Sequence, residues 1–249
     1  MELMNKSQGG FRSLAYQRYS PDAIIDYGRM AASYGRLVGQ HLQVPTGARC
    51  LDLACGYGNF LAYLRVKGIT NFVGVDLTEA AIARAAKEFG PERVACVDAF
   101  DFLESHKRGF DLISALDFVE HLRPDELFSL IARVHDGLGK DGLFLVRTPN
   151  ASAPFGMAAR YNDITHELCF TAGALGDVMQ RVGFEVIKVW EDIGYPKSLL
   201  QFAHYAAWQC LRLGYRLADV IETGAWGPGI MTRNFWMLLR KREEVVSGV

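Results

Sequence analysis

Apolar and polar positions alternate in a long rhythm between residues 49 and 147. Short continuous apolar runs at 49–54, 72–75, 94–97, 110–115 and 143–147 read as buried strands. Between them, 59–66, 79–89 (opened by Thr78), 100–105 and 124–138 space their apolar residues as amphipathic helices. Strands that are apolar throughout, separated by such helices, predict an α/β fold. Its sheet is mainly parallel with helices on both faces, a Rossmann-like arrangement. Ahead of this block, Ser20-Pro21 supplies an N-cap and a first-turn proline for a helix running to about residue 41, ended by Pro45-Thr46-Gly47. Residues 1–20 read as a loose leader. The expected organisation is an N-terminal helical segment, 1–47, and one domain, 48–249.

After Pro149 the rhythm changes. Residues 150–170 form a long loop rich in Ala, Asn, Asp, His and aromatics. A helix at 171–182, a sixth strand at 184–190, a long or broken helix at 198–221 and a final strand at 235–240 follow. The loop and the late helix interrupt a compact pattern. Acceptor-site elements are therefore expected at about 150–170 and 195–230.

Half of the 249 residues are apolar and 22% are charged, with a net charge of −1. This is ample for a sizeable core and is unlike a disordered chain. It provides no bulk electrostatic case for a nucleic-acid partner. Cys50, Cys55, Cys96, Cys169 and Cys210 form no CxxC pair, and their odd number argues for reduced thiols over a disulfide framework or zinc site. The N-terminus has no apolar signal region, and the stretch 199–211 is too short and polar to span a bilayer. A cytoplasmic protein is expected, with association at the inner membrane surface as an option left by the late helix.

The densest chemical signal is Asp52-Leu53-Ala54-Cys55-Gly56-Tyr57-Gly58, at a strand-to-helix junction. Gly56 and Gly58 permit tight turning and close approach of a ligand to the backbone. Asp76 ends the next strand, where a carboxylate can accept from both ribose hydroxyls of a nucleoside. Asp98, at the end of the third, can accept from an adenine amino group. A dinucleotide site is the competing reading. Its fingerprint wants a third glycine where this chain has Leu61, and Asp52 would repel a pyrophosphate. Asp52 suits a ligand with a cationic end.

The stretch 50–64, Asp76, Asp98-Ala99 and Phe110-Asp111-Leu112-Ile113-Ser114, in that order and spacing from about residue 48 to 148, resembles class I S-adenosylmethionine (SAM)-dependent methyltransferases. The resemblance implies a seven-stranded sheet with an antiparallel last strand and a helical insertion before it. It implies SAM across the carboxyl ends of the first three strands, with Gly56 and Gly58 at the methionine part, Asp76 at the ribose and Asp98 with Ala99 at the adenine. Asp52, Ala54, Leu77 and Ala115 complete the implied cofactor-binding set.

Two further clusters follow. In Asp117-Phe118-Val119-Glu120-His121, a helical turn would put Asp117, Glu120 and His121 on one face. Asp163-Ile164-Thr165-His166-Glu167 has similar spacing. The E-x-x-E-H pattern with a later Thr-His is similar to ubiquinone-biosynthesis O-methyltransferases and to small-RNA 2′-O-methyltransferases. That likeness implies a metal site of Asp117, Glu120, His121 and His166, with Mg2+ or Mn2+ as the candidate ions. The chain departs from the pattern in having Asp117 at the first acidic position. The metal-free reading makes His166 a general base oriented by Asp163, with His121 as a second catalytic imidazole. Arg147, Arg160 and Lys197 are candidate phosphate contacts.

Arg147-Thr148-Pro149-Asn150 and Tyr161-Asn162-Asp163-Ile164-Thr165-His166-Glu167 resemble bacterial methyltransferases encoded with polysaccharide and O-antigen synthesis. A sugar hydroxyl on a small-molecule or glycan acceptor is the implied target. A polyprenylated phenol and an amino-sugar nitrogen are the alternatives, and an NAD-dependent oxidoreductase or a non-catalytic SAM-binding protein the readings from other classes. The late helix, with Arg212 and Arg216 one turn apart, reads as a lid, a homodimer surface, a peripheral membrane contact or ordinary core.

Overall fold

The computed structural model describes residues 19–107, 109–227 and 229–242. Most of the expected leader, and Pro228 in the turn after the late helix, lie outside these. Seven strands form one sheet: β1 (Cys50–Leu53), β2 (Phe72–Asp76), β3 (Val94–Cys96), β4 (Phe110–Leu116), β5 (Leu138–Pro149), β6 (Phe184–Glu191) and β7 (Asn234–Lys241). Their order is β3-β2-β1-β4-β5-β7-β6. Every pairing is parallel except those of β7, which runs antiparallel to both neighbours. This is the Rossmann-like class I methyltransferase sheet that the sequence predicts.

β1 sits at the centre because its four residues are all buried, with Leu51 and Leu53 fully so, and it pairs with β2 and β4. Chain order reverses between β1 and β4, so a crevice opens outside the carboxyl ends of these strands. Amphipathic helices cover the two faces: α2 (Asn59–Val66), α3 (Glu79–Phe89), α4 (Ala99–Ser105), α5 (Pro124–Gly137) and α7 (Ala172–Arg181). One core, with Phe144 and Phe184, lies under α5 and α7. The other, with Phe60 and Trp236, lies under α2 and α1 (Tyr27–Leu37).

α1 starts later than Ser20-Pro21 predicts. Those residues form a turn, with Ala23 N donating to the Ser20 carbonyl, and Asp26 caps the helix instead by accepting from Arg29 N. Tyr34 of α1 packs edge-on to Phe60 and Trp236, and the Trp190 indole donates to the Leu37 carbonyl, so α1 shares the domain core. β5 extends beyond 143–147 in both directions because Phe110 pairs with Leu138 and Pro149 with Asn234. The 150–170 loop holds a short helix, α6 (Gly156–Arg160), and is pinned to the sheet by an Asn150–Phe170 bridge.

The late helix, α8 (Leu199–Thr223), is one unbroken element of 25 residues, capped by the Ser198 hydroxyl and by left-handed Gly224. None of its residues is fully buried, and its aromatic residues Tyr205, Trp208 and Tyr215 are half-buried. No helix among the described residues is long and apolar enough to cross a membrane.

Candidate active site

The turn after β1 is built from left-handed backbone: Ala54 at φ 53°, Gly56 at 52° and Gly58 at 80°. A Cβ on Gly58 would lie 2.6 Å from the Phe89 ring, so this glycine is demanded by packing as well as by φ. On β2, a Cβ on Gly74 would meet Cys55 Sγ at 2.7 Å and Leu61 Cδ1 at 2.9 Å. Leu61, at the place of a dinucleotide fingerprint's third glycine, is thus accommodated by a glycine on the neighbouring strand. The close helix–strand approach is kept with the small residue moved across the interface. Asp76 accepts from Gly56 N (2.9 Å) through one oxygen and from Thr78 N (2.8 Å) through the other, locking the turn to the end of β2.

A cavity of about 310 Å³ opens here. Seven of the nine residues predicted at the cofactor line it: Asp52, Ala54, Gly56, Asp76, Leu77, Asp98 and Ala99. Gly58 and Ala115 do not. Gly58 faces Phe89, and Ala115 is fully buried in β4, where its successors Leu116 and Asp117 reach the cavity. Asp98 caps α4 by accepting from Phe100 N, which fixes its carboxylate at the rim. Asp52 is 3% exposed and accepts from Ser114 Oγ at 2.7 Å. Burial pushes its carboxyl up to about 7, against the lowering effect of the Ser114 hydroxyl and with the Asp76 charge adding to the rise.

Sequence patterning missed Tyr19, Tyr34, Tyr57 and Asn59 as cavity residues. Tyr57 accepts from Ser20 N through its hydroxyl, and its carbonyl accepts from Tyr27, so the segment before α1 closes over the glycine turn. Only the tyrosines' proximity in space reveals this. Asn59 carries a buried side-chain oxygen without a hydrogen-bond partner.

At one side of the cavity, which His121 lines, Glu120, His121 and His166 have ligating atoms all within 4.8 Å of one another. The stretch after β4 folds as a 3-10 turn at Val119–His121 instead of an α turn. Asp117 precedes it at φ 53° and turns away to Arg147, which it pairs with. Asp117 is therefore corrected from a fourth ligand to an ion-pair partner. Among the described residues the metal-competent group is the other three. Arg147 is also corrected: it is held between Asp117 and Asp192 (2.7 Å) beneath the site and is not a free phosphate contact. Arg160 donates to the Glu167 carbonyl and stacks over Tyr161, and Lys197 lies at the foot of α8.

The two imidazoles are held in the same sense. Thr165 Oγ1 donates to Asp163 Oδ1 at 2.7 Å, so its lone pair accepts from His121 Nδ1 at 2.9 Å. His166 Nδ1 lies 3.1 Å from the Arg160 carbonyl, which can only accept. Each ring thus carries its proton on Nδ1. Asp163 acts on His121 through Thr165, and the Arg160 carbonyl holds His166 in place of the expected Asp163 contact. Glu120 is 1% exposed and accepts from Thr148 Oγ1. Burial first, and the Asp117 carboxylate second, hold its carboxyl well above the usual range. A buried acid and two neighbouring imidazoles form a donor set suited to a divalent cation.

A fold with this sheet order, a glycine turn after β1 and acids ending β2 and β3 defines a nucleoside-binding transferase scaffold. The chain belongs to the family described as "Methyltransferase domain", whose model matches residues 25–189. It is 27% identical over 161 residues to a probable fatty acid methyltransferase of Mycobacterium tuberculosis, covering 61% of this chain and 37% of that one. The chain thus spans little more than a third of that relative's length. A SAM-dependent methyltransferase from Archaeoglobus fulgidus superposes with a TM-score of 0.60 at 20% identity, over 86% of this chain and 92% of that one. The Burkholderia thailandensis 1,6-didemethyltoxoflavin-N1-methyltransferase, solved with S-adenosylhomocysteine, superposes with a TM-score of 0.58 at 18% identity, over 97% and 88%.

Proposed function

We propose that the chain is a SAM-dependent O-methyltransferase whose acceptor is a sugar hydroxyl of a glycan or its precursor, with a divalent cation held by Glu120, His121 and His166. The residues of the cavity fit SAM. Asp52 offers an acceptor for an ammonium, Asp76 a carboxylate for a ribose diol, and Asp98 with Ala99 the surroundings of an adenine. SAM supplies a methyl group on a sulfonium, already activated for in-line displacement.

The single observation that carries the reading is the grouping of Glu120, His121 and His166, with ligating atoms within 4.8 Å of one another, at the edge of the cavity. An aliphatic hydroxyl is a poor nucleophile until its proton is removed or acidified. Glu120, His121 and His166 would hold a cation that lowers the hydroxyl's pKa, or one of the two imidazoles would accept the proton directly. Thr165 and the Arg160 carbonyl keep both rings aimed. Arg147, with Asp117 and Asp192, forms the rigid floor behind them. The sugar identity is supported by the likeness of 147–167 to glycan-cluster methyltransferases.

A lipid acceptor is the second reading. It is favoured by the mycobacterial relative's description and by Phe155, Met157, Tyr161 and Ile164, each at least half exposed around α6. Incubation with labelled SAM separates them. Transfer to nucleotide- or lipid-linked sugars, reduced by chelation and restored by Mg2+ or Mn2+, is expected. Transfer to fatty acyl chains or to amines alone, indifferent to chelation, contradicts the proposal.

A further inference from the structure

We propose that the outward half of α8 packs against the same face of a second copy of this chain, antiparallel about a two-fold axis near Cys210. The helix divides cleanly. Tyr205, Trp208, Arg212, Tyr215, Arg216 and Asp219 form the half-buried stripe towards the body, anchored by Arg212 to Glu191 (2.8 Å) and by Arg216 over the Trp226 ring (5.0 Å). On the opposite side, Leu200, Ala203, Ala207, Cys210, Gly214, Leu217 and Ile221 recur at strict alternate spacings of three and four and are all exposed. That is the spacing of a helix–helix seam.

The face fits a copy of itself better than it fits other occupants. The only Lys, Arg, Asp or Glu residues between 199 and 221 are Arg212, Arg216 and Asp219, all on the body side. Self-association therefore brings no like charges together. A helix lying on a lipid surface depends on Lys and Arg along its polar face, and here both arginines are engaged with the protein. The helix is roughly 37 Å long. Its exposed large apolar side chains, from Phe202 and Leu217 up to Leu199 at 90%, amount to on the order of 900 Å². That matches the roughly 800 Å² each partner buries in a standard interface and exceeds what monomers usually expose. An antiparallel pairing centred on Cys210 also sets small against large, with Ala203 facing Leu217 and Ala207 facing Leu213, while Ala206 meets Gly214 as a small pair. The small residues let the backbones approach closely, and the ends, Leu199 and Ile221, cover each other.

The test is sedimentation of the whole chain across the micromolar range, with circular dichroism as a fold check. A dimer is expected. Leu217→Glu and Ala206→Glu, both at exposed positions, each weaken it about tenfold or more without loss of helix signal. A short bismaleimide links two copies through Cys210, and Cys210→Ser abolishes the link although Cys96 stays exposed. A monomer throughout that range overturns the proposal, as does a dimer that both variants leave unchanged. Binding of a monomeric chain to phosphatidylglycerol-containing vesicles, lost in Leu217→Glu, overturns it in favour of a lipid surface.

Discussion

Asp52 shows how much one buried residue can control. Its folded carboxyl lies at about 7, above the ordinary 3.8. The folded chain therefore holds a proton that the unfolded chain has lost between about pH 4 and 7. Stability from this group is full below about pH 4 and is lost as pH rises through 7. Urea midpoints of the wild type and of Asp52→Asn, compared at pH 5 and pH 8, should diverge, with the variant gaining on the wild type by about 1–3 kcal/mol at the higher pH. Parallel midpoints contradict this. The same ionisation readies Asp52 for an ammonium. Affinity for S-adenosylhomocysteine should therefore tighten through pH 7 in the wild type and stay flat in the variant. Thr165 is the other informative residue. Thr165→Val removes the shorter of the two acceptors at His121 Nδ1 and leaves the Thr165 carbonyl at 3.3 Å, so about a 10-fold fall in kcat with unchanged cofactor affinity is expected. Thr165→Ser should rescue it. Equal kcat in Val and Ser variants would sink the orienting role.

The elements divide into those that patterning reveals and those that depend on contacts across the chain. β1, β2 and β4 were legible because burial on both faces leaves continuous apolar runs. The glycine turn was legible because φ above zero selects a residue type. The start of α1 was not, because Ser20-Pro21 serves a turn equally well and Asp26 competes as cap. Asp117 was misplaced because its spacing to Glu120 and His121 presumes an α turn, whereas the chain forms a 3-10 turn after a left-handed residue. The role of Gly74 emerges only from the packing of Leu61 against it. Gly58→Ala combines strained φ with contact on Phe89. It should destabilise the domain by about 1–3 kcal/mol in thermal melts and loosen cofactor binding. A neutral melt would show that the turn has another conformation available.

At the scale of the molecule, the reversal of strand order beside β1 places the glycine turn, the acids of β1 and β2 and the turn after β4 along one sheet edge. The chain puts its own additions around this edge. The segment before α1 closes over the glycine turn, the 150–170 loop brings Thr165 and His166 beside His121, and α8 stands outward with its apolar side uncovered. The shared sheet accounts for the family likeness.

Calorimetric titration of the purified chain with S-adenosylhomocysteine, before and after chelation and with Mn2+ restored, tests the central claim most directly. The account predicts one site per chain, weakened at least about tenfold by Asp76→Ala, and a separate Mn2+ signal lost in Glu120→Ala. Absence of S-adenosylhomocysteine binding under all three conditions, with binding of NAD in its place, would contradict it.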